Sequence, residues 1–217
     1  MKKMFNIIVE GEADVKFFKD YCYHLFEEHI PDERVMRTGD NDGSGGWNKL
    51  ADEATRARLE SMTDNGGINL VIFDADTDAK KRRGEILKCK KENGLEFELF
   101  LLPDNQSSGA LEDLLENIIN PNNQPIFDCW ENYEEELRHV TIPGRDEPLT
   151  TPAKKSKIYC YLETLHGTSK SQKKKIKDPN RDFLKKEHWD LDAEYIKPLK
   201  EFLEKNLKDN ECNKKRI

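Results

Sequence analysis

Short apolar runs that stop at turn residues alternate along the chain with stretches whose apolar residues recur every three or four positions. "MFNIIV" (4 to 9) is continuous and β-branched, the pattern of a strand buried on both faces. "RVMRTG" (34 to 39) is a weaker run of the same kind, and "INLVIF" (68 to 73) is the clearest. "LEFELFLL" (95 to 102) alternates and then becomes wholly apolar. Helical spacing lies between them. Phe17, Phe18, Tyr21, Leu25 and Phe26 share one stripe. "WNKLADEATRARLESM" (47 to 62) predicts a helix closed by "NGG". "AKKRRGEILKCKKENG" (79 to 94) predicts a basic helix with a glycine stop. "SGALEDLLENII" (108 to 119) places Leu111, Leu114, Leu115 and Ile118 on one face. The order β-α-β-α-β-α-β-α implies an α/β fold: a Rossmann-like parallel sheet with right-handed crossovers and helices on both faces, over residues 3–120.

The texture then changes. Pro121, Pro125, Pro143, Pro148 and Pro152 punctuate residues 121–152, which read as a linker or insertion around one short acidic helix, 130 to 139. Residues 153–217 read as a mainly helical extension packed on the core. It comprises a helix over 154 to 165, a mobile basic loop over 168 to 178, and an amphipathic helix over 195 to 208 broken near Pro198. The last residues read as frayed.

Composition narrows the class. The chain has 217 residues, 35% hydrophobic and 36% charged, with a formal net charge of -7, so it is no general polyanion binder and any nucleic-acid contact needs a local basic patch. Its five cysteines are far apart, without CxxC or zinc spacing, which predicts reduced thiols and a cytoplasmic protein. No apolar stretch reaches the length of a membrane span, and the run after Lys2 and Lys3 is too short for a signal peptide.

The candidate chemistry lies where strands end. Glu10 follows the first strand, and Asp74 and Asp76 follow "LVIF". In an open parallel sheet the reactive crevice lies beyond the carboxyl ends of the strands, so adjacent strands here would bring these acids together. Asp14, one helical turn beyond Glu10, faces the same opening. Crowded carboxylates repel unless a cation or protons neutralise them, and hard oxygen ligands suit Mg²⁺ or Mn²⁺.

"IIVEGEAD", followed some sixty residues later by "VIFDADTD", resembles the Toprim domain shared by topoisomerases, primases, small nucleases and overcoming-lysogenization-defect (OLD) nucleases. Glu10 matches the family's glutamate after the first strand, and Asp74 and Asp76 match its Asp-x-Asp. Glu10 with Asp14 resembles the Glu-x-x-x-Asp of the OLD-like members. "GALEDLL" resembles their following acidic segment, which adds Glu112 as a further ligand. The resemblance implies Mg²⁺-dependent phosphodiester chemistry on DNA or RNA, with Asp74 and Asp76 holding metal and Glu10 holding metal or acting as general acid/base. It also implies a late lysine near the phosphate: "KKSKIY" offers Lys154, Lys155 and Lys157, of which Lys157 is preferred. Lys80, Lys81, Arg82 and Arg83, directly after the acids, are candidate contacts to a nucleic-acid backbone.

Plainer roles stand beside these. Glu10, Glu12 and Asp14 suit the positive end of a helix, as do Glu112 and Asp113, and Asp78 is better placed as a helix cap than as a ligand. The basic runs can be solvated faces. "GDNDGSGG" (39 to 46) fits neither a Walker A nor a GxGxxG pattern and reads as a flexible turn over the crevice. No histidine pair has catalytic or zinc spacing, and the tryptophans suit packing. A non-catalytic module that binds nucleic acid, a nucleotide or a protein partner is the alternative to a nuclease, a homodimer is open, and a flavodoxin- or receiver-like domain also places Asp at strand ends.

Overall fold

The structure is a computed structural model that describes residues 4–39 and 45–208. Four parallel strands, β1 (Phe5–Val9), β2 (Val35–Arg37), β3 (Ile68–Asp74) and β4 (Glu98–Leu102), lie in the order β2-β1-β3-β4. Alternation along each strand divides the apolar residues between two cores. Ile7, Val9, Leu70, Ile72, Phe100 and Leu102 face one side. Ile8, Val71, Phe73 and Leu101 face the other. A sheet buried on both faces needs a helical layer on each, and the helices supply it. α2 (Glu53–Asp64) and α3 (Ala79–Glu92) cover the second face through Leu59 and Ile86. The first face is covered by α1 (Glu12–Phe26), through Phe17, Phe18 and Tyr21, and by the short α4 (Leu111–Glu116). The result is the expected α/β Rossmann-like fold.

The C-terminal half builds into the first core. α5 (Gln124–His139), α6 (Lys154–His166), α7 (Lys170–Lys175) and α8 (Lys197–Leu207) follow in order. Phe183 meets Phe17 edge-on at 5.2 Å, Phe202 meets Phe100 at 5.2 Å, and Trp189 is fully buried. Each such ring contributes about 2 kcal/mol by leaving water. The segment after 153 therefore completes one hydrophobic core with the sheet.

Four expectations are corrected. Residues 121–152 hold a 16-residue helix that starts at Gln124, not 130, and buries Phe127. Pro125 sits in its first turn, where the missing N–H has no intrahelical partner to lose. Pro198 occupies the same position in α8 and breaks nothing. The basic loop contains α7, capped by Ser169, whose side chain accepts from the Gln172 N–H. The region 47 to 62 divides into a 3₁₀ turn, Trp47–Lys49, and α2, which begins after Asp52. Most of the predicted glycine-rich turn and the frayed end (residues 40–44 and 209–217) lie outside the described residues. Among the described residues no helix is long and apolar enough to cross a membrane.

Candidate functional site

β1 and β3 are adjacent, with Ile8 opposite Val71. β2 lies on one side of β1, and β3 and β4 on the other, so the topological switch point falls between the strands that end at Glu10 and Asp74. Three of the acids are fixed locally. Asp14, 8% exposed, accepts from the Gly11 N–H at 2.7 Å, closing the open end of α1. Asp74 Oδ1 accepts from the Leu111 N–H at 3.0 Å, so the first turn of α4 points at the end of β3. Asp76 has a φ of 52°, held there by paired backbone bonds with Gly109. Such a conformation outside glycine is uncommon and concentrates at functional sites.

These carboxylates act on one another. Burial raises Glu10 to about 7, aided by Asp74 and then Asp76, while Arg82 opposes the shift. Burial raises Asp14 to about 7, with Glu112 and Glu10 adding to it. Burial raises Asp74 to about 8, with Asp14, Glu112 and Asp76 adding. All five predicted ligands (Glu10, Asp14, Asp74, Asp76 and Glu112) thus lie in one electrostatic neighbourhood. Glu10 Oε1 is buried without a hydrogen-bond partner, as an oxygen reserved for a cation would be. Among the described residues, no group of three or more His, Cys, Asp and Glu side chains is already set as a metal cage. The carboxylates share a field rather than a finished coordination shell.

Gly45 brings the chain over this mouth. A Cβ there would lie 2.1 Å from the Glu10 carbonyl oxygen, so only glycine permits the approach. Gly45→Ala is expected to shift Glu10, with an overpacking cost of about 1–3 kcal/mol. The checks are a melting curve and Mn²⁺ affinity, both of which should fall.

The predicted cations are placed differently. Arg82 pairs with Asp76 and lies over the Trp47 ring at 5.3 Å. Arg83 is tied to Asn105, donating to its backbone and side-chain oxygens at 2.9 and 2.5 Å. Lys80 and Lys81 are exposed. Asp78 caps α3, accepting from the Lys81 N–H at 2.9 Å.

Lys157, preferred from the sequence, is buried on α6, 3.1 Å from Glu116 and 3.4 Å from Glu131, over the Phe127 ring. Its neighbours Lys154 and Lys155 stand on the crevice side. Lys154 pairs with Asp113, and the charge of Glu112 reaches both lysines. Arg181, which no sequence pattern marks, also lies in the field of Glu112 and is held by Asp178 at 2.9 Å. Lys157→Met is expected to lower stability by about 2 kcal/mol, because Glu116 is left half-buried without its cation. Divalent-ion affinity should stay within about twofold, since the packing stem is retained and the crevice is untouched. Urea melts and calorimetric titration check both.

A family model described as "Protein of unknown function (DUF3226)" matches residues 4–208. No curated protein and no solved structure matches the chain.

Proposed function

The chain belongs to the DUF3226 family, and we propose that it carries out Mg²⁺- or Mn²⁺-dependent phosphodiester chemistry on DNA or RNA, as a nuclease-type Toprim protein. The observation that carries this is the meeting of Glu10, Asp14, Asp74, Asp76 and Glu112 at the β1/β3 switch point, with a buried, unpartnered Glu10 oxygen. Glu10, Asp74 and Asp76 would hold the ion, with Asp14 and Glu112 beside them. When bound, the ion supplies charge stabilisation for phosphate oxygens and a more acidic water.

The chain's own residues bind and orient. Lys154 and Lys155 form a basic rim next to Glu112 that suits a phosphate backbone. Asp178 accepts from Lys155 at 2.7 Å and from Tyr159 at 2.9 Å, which holds that rim in place. Lys80 and Lys81 extend positive charge along the outside of α3. Cys89, Cys129 and Cys160 are free thiols with solvent access, which supports a cytoplasmic location.

The second reading is a module that binds nucleic acid, a nucleotide or a protein without cleaving. Incubation of plasmid, single-stranded DNA and RNA with the protein, with and without Mg²⁺ or Mn²⁺, separates the two. Ion-dependent cleavage of any of them is expected. Ion binding without cleavage supports the module, and neither binding nor cleavage contradicts both roles of the acids.

A further inference from the structure

Arg82 stands at the mouth of the crevice in an unusual state of partnership. Its Nη2 donates to Asp76 Oδ2, and its guanidinium covers Trp47. Its side chain is only 15% exposed. Nη1 lies 3.9 Å from Glu85, too far for a hydrogen bond, and both Nη1 and Nε are buried without one. Arg82 is also the cation that acts on Glu10. A guanidinium presents its donors as a rigid fork, and buried donors without acceptors are costly to keep. A metal ion and this fork compete for the negative charge of Asp76, so each weakens the other's hold on it.

We propose that Arg82 is the crevice's built-in counter-cation. A divalent ion binds by taking Asp76 from it, and the released fork, still backed by Trp47, offers its donors to a phosphate. Arg82 is then a positioning residue that couples ion loading to anion binding. The coupling rests on the reading of the five carboxylates as a cation site. It needs no change of fold. The exchange is between two cations at one carboxylate, so the charge on Asp76 stays compensated throughout.

Three measurements test it. Calorimetric Mg²⁺ titration at pH 8 should give tighter binding for Arg82→Ala than for wild type by about fivefold, the factor that corresponds to losing a competing ion pair of ordinary strength. Arg82→Lys, which keeps the charge without the fork or the stack, should fall between them, and carries the test if the alanine variant does not fold. Tryptophan emission should change on Mg²⁺ addition in wild type and not in Trp47→Phe. Wild-type binding with equal or weaker binding in the Arg82 variants, or with no change in Trp47 emission, overturns the exchange and leaves the cation site standing. No Mg²⁺ or Mn²⁺ binding in wild type overturns the cation site and the exchange with it.

Discussion

Asp74→Asn is expected to stabilise the protein in chelator at pH 8. Asp74 is raised to about 8 and Asp14 and Glu10 to about 7, chiefly by burial and then by one another. In the unfolded chain these groups ionise near pH 4. Between roughly pH 4 and 8 the folded state therefore binds more protons than the unfolded state, and stability falls as pH rises through that window. At low pH all forms are protonated and the loss vanishes.

Asparagine removes one charge from the cluster and keeps an oxygen to accept from the Leu111 N–H. Because the three groups interact and two are partly exposed, the gain is set at about 2 kcal/mol rather than the full sum of shifts. Urea melts at pH 5 and pH 8 should show a loss in wild type that is smaller in the variant by about that amount, Asp14 and Glu10 keeping the share that their own burial causes. His188 runs the other way: burial lowers it to about 4, so the stability it contributes is present above its ordinary pKa and lost as pH falls through that value. The difference between wild type and variant cancels that contribution. A wild type at least as stable as Asp74→Asn at pH 8 would contradict the crowding.

The largest effect on activity is expected from the same residues. Glu10→Ala and Asp74→Ala each remove a predicted ligand, and loss of ion-dependent cleavage by on the order of 10²-fold or more is expected, since even outer-shell changes cost 10–100-fold. The two losses should not add when combined, because either one dismantles the same unit. Glu10→Ala also removes the buried unpartnered Oε1, so its fold should survive better than its activity. Equal cleavage by wild type and both variants on the same nucleic acid would detach the chemistry from this crevice.

What the sequence made legible followed from burial. Strands covered on both faces are continuous apolar runs, so "FNIIV" and "LVIF" stand out, and the acids that end them stand out with them. The proline-rich segment misled because a proline in the first turn of a helix looks, in sequence, like one that stops it; α5 and α8 both begin that way. The choice among Lys154, Lys155 and Lys157 was a question of helix phase. Ile158, Tyr161 and Leu162 set the buried stripe of α6, and Lys157, one residue before Ile158 and four before Tyr161, lies on it. That signal was in the sequence. Arg82 over Trp47, and Arg181 near Glu112, depend on loops that bring distant segments together, and no local pattern announces them.

Isothermal titration of Mn²⁺ at pH 8 into wild type, Glu10→Gln and Asp74→Asn tests the shared site most directly. Saturable binding by wild type, lost or weakened at least about tenfold in both variants, is the expected result. Saturable binding that both variants retain unchanged, or none in wild type, would show that these carboxylates do not share a divalent ion.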